Sequence, residues 1–394
     1  MRTRLITSLA ALTVALSIVP HLGAQSDAAA MMARVEAART GQRDLDALTL
    51  ASVMQRFNVP GASVAVIKDS TLHWAKGYGL ADVETKRVVE TTTLFQAASI
   101  SKPVTAMAAV RLAQDGRFSL DADVNTILKS WRVPASDLTR DGPVTPRSLF
   151  SHTSGADDGF GFPGYEPSAP RPTLVQILNG EAPSNVKKVL FARPPFQAYK
   201  YSGGAVTLMQ LALTDLTGTP FAEFMRATVL APLQMTSSTY EQPLPEPMAA
   251  RASRAHSREG LARPTAWHVY PEQAAAGLWT TPSDLAKFAI EVQRAMKGPR
   301  GSVLTQASAR EMTTPVGVGP YGVGLAVDKR GEGWYFSHGG SNWGFQCMVV
   351  AHVRKGYGVA VMTNADSGGQ LITEIVARVA SAYGWDTLDK PLAR

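Results

Sequence analysis

The chain has little cysteine and lacks the motifs of several enzyme classes. Its one cysteine, Cys347, excludes an internal disulfide, so the fold must be stable through packing alone. Cys347 lies in an apolar, strand-like string, which predicts a buried and inert thiol. The chain has no His-Glu-x-x-His string, and His256 and His268 lack ligand spacing, so we expect no metal. No phosphate-cradling loop is present, and we expect no cofactor. The absence of Gly-x-Ser-x-Gly excludes the α/β-hydrolase nucleophile elbow.

Long apolar runs are confined to the N-terminus. Residues 1–24 begin with two arginines, continue through an apolar run and end in small residues, which is typical of a secretory signal cleaved after Ala24. A retained membrane anchor is the alternative, although the run is short for a span. Loss of this segment lowers the net charge from +7 to +5, because it removes two arginines and no acid. This mild surplus gives no argument for nucleic acid. We expect an exported, periplasmic protein without stable membrane insertion.

Strand patterns occupy both ends of the remaining chain, and helical patterns dominate 92–315. A sheet assembled from both chain ends therefore encloses a helical lobe, and the hairpin spacings favour an antiparallel α/β (α+β) fold over a doubly wound parallel sheet. We expect an N-terminal arm at 25–45 that is either mobile or a loose helix, one catalytic domain at 46–385 and a tail at 386–394. The predicted elements are a helix at 46–57, strands at 62–67, 72–78, 321–327, 334–337, 344–351 and 358–362, and a helix at 369–383.

The string Ser-Ile-Ser-Lys at 99–102 contains the candidate nucleophile. A serine hydroxyl needs an adjacent base, and if Ser99 opens a helix, Lys102 lies on the same face. A lysine acts as a base only when it is desolvated or lies beside another cation. The apolar run after Pro103 predicts a buried helix with proline in its first turn. A second Ser-x-x-Lys begins at Ser184, but its polar, proline-rich surroundings predict a solvated loop.

Two further strings complete a candidate acyl-transfer site. The Tyr-Ser-Gly string at 201–203 supplies Tyr201 as a second proton carrier, preferred over Tyr199 because a serine and two glycines follow it. The His-Gly-Gly-Ser string at 338–341 allows close backbone approach at Gly340. The N–H groups of Ser341 and Ser99 can then hold a developing oxyanion. Together the strings predict acyl transfer through a covalent seryl intermediate.

Around these strings the chain resembles the serine β-lactamase and penicillin-binding family, in the branch of class C β-lactamases, D-alanyl-D-alanine carboxypeptidases and family VIII esterases. The resemblance covers residues 45 to 385 and includes the segments 60–66, 77–79, 149–155 and 276–285. It implies an antiparallel sheet flanked by terminal helices, an inserted helical lobe and an active site at the seam. It also implies that Tyr201, beside an ammonium that favours its phenolate, is the base for Ser99 and for the deacylating water. His152 is implied to be a structural turn bordering the site.

The chain departs from this family at two positions. Relatives often carry Tyr-x-Asn, whereas this chain has Gly203 in place of the amide that would contact the substrate and orient Lys102. Relatives also often carry Lys-Thr-Gly, whereas this chain has His338, which is mostly neutral at pH 7 if unperturbed. Both departures favour substrates without a free carboxylate, such as esters. His338 can still orient Tyr201 or donate a hydrogen bond.

Three functions are consistent with this sequence. The leading hypothesis is a cofactor-free serine hydrolase that cleaves carboxylic esters or related acyl compounds. The closest alternative is a β-lactamase or a D-Ala-D-Ala carboxypeptidase acting on β-lactams or peptidoglycan peptides, and a third is a member that binds envelope material without turnover. In the first two cases the binding partner is a small-molecule ester, amide or peptide substrate. Trp343 is predicted either to line the acyl pocket or to pack on the helical lobe.

Overall fold

The computed structural model describes residues 21–39, 41, 43–140, 142–158, 161–298, 301–331 and 333–386. The predicted signal segment at 1–24 lies outside these residues except for the backbone of 21–24, and so does the predicted tail beyond residue 386. In the part of the chain that is described, no helix combines the length and the apolar character needed to cross a membrane.

A seven-stranded antiparallel sheet organises the structure. Its strand order is β3-β2-β1-β11-β10-β9-β8, so the first and last strands of the chain meet at β1 and β11. The strands are β1 (Gly61–Lys68), β2 (Thr71–Asp82), β3 (Arg87–Val88), β8 (Ala326–Arg330), β9 (Gly333–Asn342), β10 (Phe345–His352) and β11 (Gly358–Thr363). Two small two-stranded sheets pair β4 (Phe95–Gln96) with β7 (Trp279–Thr280), and β5 (Ala156–Asp157) with β6 (Leu190–Phe191). The predicted mixed fold with a large antiparallel sheet is confirmed.

Helices cover both faces of the sheet. The larger helices are α1 (His21–Glu36), α3 (Ser101–Gln114), α6 (Gly203–Thr217), α10 (Pro282–Lys297), α11 (Gln306–Thr313) and α12 (Gly368–Ala382). The shorter helices are α2 (Leu50–Arg56), α4 (Pro146–Phe150), α5 (Leu174–Asn179), α7 (Phe221–Met225), α8 (Glu246–Ala249) and α9 (Gln273–Ala276). Thr49 caps α2, because its side chain accepts a hydrogen bond from the Ser52 N–H.

The central strands are apolar on both sides, which explains why helices cover both faces. In β1, Val64 and Val66 belong to the core shared with α1, α2 and α12, whereas Ala65 and Ile67 belong to the core shared with the helical lobe. This alternation follows from the two-residue side-chain period of a strand. The lobe core is continuous from the inner sheet face through α3, α6 and α10, so the lobe and the sheet share one interior.

One segment differs from the sequence-based expectation, and a second is defined more closely by the structure. The strand predicted at 321–327 begins only at Ala326, because Gly324 adopts φ +87° and lies directly against α3, where a Cβ would be 2.4 Å from the Ala106 Cβ. In the segment 25–45, expected as a mobile arm or a loose helix, the residues up to Glu36 belong to helix α1, in which Val35 is fully buried. Arg378 of α12 also binds this segment, donating to the carbonyl groups of Ala37 and Leu45 at 3.0 and 2.9 Å.

Candidate active site

Ser99 lies in a 3₁₀ turn (Ala98–Ile100) that leads directly into α3. Ala98 holds a left-handed φ of +47°, an uncommon conformation for a residue with a Cβ. The Ser101 hydroxyl fixes the turn by donating to the Ala98 carbonyl at 2.6 Å and accepting from the Leu278 N–H at 2.9 Å. The turn therefore presents a half-buried Ser99 at the start of a buried helix.

Lys102 lies beside Ser99, as the spacing predicted. Its Nζ donates to Ser99 Oγ at 3.0 Å and to the Ala275 carbonyl, presented by α9, at 2.8 Å. The side chain is 2% exposed. Burial lowers the pKa of Lys102 to about 7, and the carboxylate of Asp158 opposes this shift. A substantial fraction of the amine is therefore uncharged near neutral pH and able to accept a proton.

Tyr201 precedes α6 and reaches the same point. Its phenol shares a hydrogen bond with the Ser99 side chain, and Lys102 Nζ lies 5.1 Å from the centre of its ring. Burial raises the pKa of Tyr201, and the hydrogen bond with Ser99 opposes the shift. Burial therefore works against the phenolate that the family resemblance implies. Tyr199 instead stacks on Tyr321, with ring centres 5.7 Å apart.

His152 packs against the Tyr201 ring and accepts a hydrogen bond from the next residue. Its ring lies 4.3 Å from the Tyr201 ring, centre to centre, and its Nδ1 accepts the Ser202 N–H at 3.2 Å. Burial lowers the pKa of His152 well below its usual range, so the ring is neutral. This arrangement places His152 in a turn that borders the site and fixes the segment carrying the phenol.

Strand β9 forms one side of the site with an unpaired edge. Within the described sheet, β8 pairs with β9 only as far as Ser337, so the stretch from His338 to Asn342 has β10 on one side and no strand on the other. A Cβ on Gly340 would lie 2.5 Å from both the Ala97 carbonyl and the Cys347 Sγ. Gly340 thus allows the strand to approach the nucleophile turn closely. The Ser341 side chain accepts a hydrogen bond from Gln346 at 2.8 Å.

His338 faces the aromatic rings around the nucleophile. Its ring centre lies 6.2 Å from that of Tyr201 and 5.7 Å from that of Tyr321. Nδ1 lies 2.7 Å from the Gly339 carbonyl, so Nδ1 carries the proton and Nε2 is left as an acceptor. Nε2 is buried without a hydrogen-bond partner among the described residues. Burial lowers the pKa of His338 to about 3, so it is uncharged at neutral pH.

Trp343 packs against the helical lobe rather than standing free at the cleft. Its ring stacks on His268 with centres 4.0 Å apart, and the Arg263 guanidinium lies 4.8 Å from its centre. The Trp343 N–H donates to the Tyr270 hydroxyl at 3.1 Å. These contacts favour the second of the two interpretations given above for Trp343, that it packs on the lobe.

Sequence reasoning missed Asp158, Tyr321 and the Ala275 carbonyl as members of the site. Asp158 follows the His-Thr-Ser-Gly string by three residues, which is a signal that could have found it, whereas Tyr321 and Ala275 carried none. Ser184 lies in a turn in which its N–H donates to the Glu181 carbonyl, away from the groups that surround Ser99. Among the described residues, no cluster of three or more metal-ligating side chains occurs.

Comparison with known proteins identifies the class of protein to which this fold and site belong. The family model described as Beta-lactamase matches residues 47–383. The chain therefore belongs to the beta-lactamase family, within the serine hydrolases, and the resemblance inferred from the sequence motifs is confirmed.

Individual relatives are distant. Protein flp from Staphylococcus aureus (strain N315) is 23% identical over 330 residues, which cover 80% of this chain and 61% of that protein, so the chain spans about three fifths of its length. Esterase EstB from Burkholderia gladioli is 27% identical over 337 residues, covering 75% of this chain and 80% of EstB. The solved structure of the D-alanine carboxypeptidase AmpC from Burkholderia cenocepacia has a TM-score of 0.66 and 17% identity, covering 91% of this chain and 99% of that one. This last likeness concerns the fold alone.

Proposed function

We propose that the protein is an exported serine hydrolase that cleaves carboxylic esters through an acyl-enzyme on Ser99. The observation that carries this proposal is the convergence of two proton-carrying groups on the Ser99 hydroxyl. Lys102 Nζ lies 3.0 Å from Ser99 Oγ, and Tyr201 hydrogen-bonds the same side chain. A nucleophile with a base at hydrogen-bond distance is the arrangement that activates serine for acyl transfer.

Lys102 is the base in this proposal. Its uncharged amine takes the Ser99 proton as Oγ bonds to the ester carbonyl carbon, and the resulting oxyanion accepts the N–H groups of Ser99 and Ser341. When the tetrahedral intermediate collapses, the C–O bond to the alcohol breaks. The alkoxide takes a proton from the Tyr201 phenol, and Lys102 returns a proton to Tyr201. In deacylation, water attacks the acyl carbonyl carbon and its proton passes through Tyr201 to Lys102. Lys102 then returns a proton to Ser99 Oγ as the acyl bond breaks.

The base thus differs from the one that the family resemblance implies. Burial raises the pKa of the Tyr201 phenol and lowers that of the Lys102 amine to about 7. Near neutral pH the amine is partly deprotonated and can accept the Ser99 proton, whereas the phenol keeps its proton. The phenol therefore serves as a proton relay.

The charges around Ser99 favour substrates without a carboxylate. His338 is uncharged because burial lowers its pKa to about 3, so it cannot replace the lysine that many relatives carry at this position. The Lys102 amine is already bonded to Ser99 and Ala275, and Asp158 adds a carboxylate nearby. A free carboxylate on the substrate would gain no cationic partner there. The similarity to an esterase, EstB, supports the same choice.

Export is part of the proposal because of the N-terminal sequence. The pattern of residues 1–24, with basic residues, an apolar run and a small-residue cleavage site after Ala24, is that of a secretory signal. Expression of the full chain with a periplasmic fractionation control tests it. A mature protein beginning at residue 25 in the periplasmic fraction is expected, and an unprocessed protein in the cytoplasm would contradict export.

A panel of three substrates tests the proposed chemistry. The panel contains a short-chain nitrophenyl ester, a chromogenic cephalosporin and a D-Ala-D-Ala peptide, each measured with the native chain and with Ser99→Ala. Ser184→Ala serves as the matched control, because it lies in the second Ser-x-x-Lys string. We expect turnover of the ester that is lost only in Ser99→Ala. Turnover confined to the cephalosporin or the peptide would establish the alternative, and no turnover of any substrate would favour binding without catalysis.

A further inference from the structure

Asp158 contacts the segment that carries Tyr201, and its charge raises the pKa of the Lys102 amine in the same buried site. Its Oδ2 accepts the Gly204 N–H at 2.5 Å, and its side chain also shares a hydrogen bond with the Ser202 side chain. Its Oδ1 is buried and has no hydrogen-bond partner among the described residues. One carboxylate thus holds the N-cap residue of α6, Ser202, and the second residue of the helix, Gly204, which follow directly after the phenol.

The glycines that open α6 make this contact possible. A Cβ on Gly204 would lie 2.9 Å from Asp158 Oδ2, and a Cβ on Gly203 would lie 2.6 Å from the Phe162 ring. Gly203 is also where relatives often carry the amide that orients the lysine. In this chain the Phe162 ring occupies the space next to that position, and the nearby polar group is the Asp158 carboxylate.

Asp158 faces few charged groups. The Lys102 cation lowers the pKa of Asp158, opposing the larger effect of burial, which raises it. The charge of Asp158 in turn raises the pKa of Tyr201. On the other elements, His152 and His338 face the Lys102 amine, and burial keeps both rings neutral. Asp157, the adjacent carboxylate, instead pairs with Lys200 and Arg193. The Lys102 amine therefore has one anionic neighbour in the site, and it is Asp158.

We propose that Asp158 is a positioning residue, which supplies the counter-charge of the Lys102 amine and anchors the segment that carries Tyr201. This inference rests on the proposed function, because it assigns Lys102 the role of base for Ser99. The carboxylate stabilises the protonated amine and so makes the free amine a stronger base.

The test is the pH dependence of Ser99 labelling by a fluorophosphonate, which reports activation of the nucleophile without requiring the natural substrate. The native rate should rise with pH through a midpoint near 7, as the Lys102 amine loses its proton. Asp158→Asn keeps an acceptor for the Gly204 N–H but removes the charge. We expect its midpoint to move to lower pH by about one unit and its plateau rate to fall by about tenfold, because the amine becomes a weaker base.

Asp157→Asn is the matched control, because it removes the same charge one residue away and should leave the midpoint in place. Asp158→Ser is measured alongside, so that the comparison stands if the asparagine variant does not fold. An Asp158 variant that is folded and labelled with the native midpoint overturns the proposal, even if its rate is lower, because a merely structural role would produce that result. Absence of labelling in the native protein at every pH would overturn the proposed function, and this inference with it.

Discussion

Replacing Lys102 should make the protein more stable, although most core substitutions destabilise. The amine is 2% exposed and its pKa is lowered from 10.5 to about 7 by burial. The folded protein therefore binds the lysine proton more weakly than the unfolded chain does. Below pH 7 the amine is charged in both states, so the whole desolvation cost opposes folding. The substitution Lys102→Met removes this cost and keeps an unbranched side chain of similar volume.

The size of the effect follows from the pKa difference. The pKa falls from 10.5 to about 7. At about 1.4 kcal/mol per unit, the difference corresponds to about 5 kcal/mol at or below pH 7. The methionine variant loses the hydrogen bond to Ser99 and leaves the Ala275 carbonyl without this donor, which costs about 2 kcal/mol. The expected net gain in the free energy of unfolding is therefore about 3 kcal/mol at pH 6.

Urea denaturation of the native protein and of Lys102→Met at pH 6, 8 and 10 measures this effect. The advantage of the variant should shrink as the pH rises from 7 towards 10.5, because the unfolded chain then also loses its lysine proton. Lys129→Met, which removes an exposed lysine, is the control and should show no such pH-dependent gain. A variant that is less stable than the native protein at pH 6, or a stability difference that does not change with pH, would show that burial of the Lys102 ammonium does not destabilise the fold.

Three further predictions concern the site and the core. Tyr201→Phe should lower kcat for the preferred ester by about 10²- to 10⁴-fold with a smaller effect on KM, because a proton relay is lost; a near-native kcat would contradict this. Gly340→Ala should lower kcat/KM by about 100-fold, because its Cβ would meet the Ala97 carbonyl at 2.5 Å and displace β9. Ser341→Ala should stay within about threefold of native if only its N–H contributes, and equal losses in the two variants would contradict the assignment. Arg378→Ala should lower the free energy of unfolding by about 3 kcal/mol in urea denaturation, because the buried Glu374 loses its partner at 2.7 Å and keeps only Arg39 and Arg43, and two backbone carbonyl groups lose their donor; a loss below about 1 kcal/mol would show that the pair is dispensable.

The reacting groups could be predicted from sequence because local spacing brings them together. Ser99 and Lys102 are three residues apart at a helix start, and this proximity alone predicts the contact now seen at 3.0 Å. Gly340 was predicted to allow close approach, and the Cβ geometry at that position explains why. The strands at 62–67 and 358–362 were each predicted within one residue at either end, because they are apolar runs bounded by turns.

The charge states of the site could not be predicted, because they depend on burial by distant segments. The pKa of Tyr201 rises because the phenol is desolvated by elements far apart in the chain, and local sequence carries no information on that. Asp158 accepts a hydrogen bond from the Gly204 N–H, which lies 46 residues further along the chain. The strand predicted at 321–327 was wrong over residues 321–325, because the apolar alternation there reflects packing of Gly324 on α3 rather than pairing with β9.

Peptide mapping by mass spectrometry, after the folded native chain has reacted with a fluorophosphonate at pH 8, shows whether Ser99 is the activated nucleophile. We expect one adduct, on the peptide that contains Ser99, and its loss in Lys102→Ala. A folded protein that forms no adduct on Ser99, or an adduct on the peptide that contains Ser184, would contradict it.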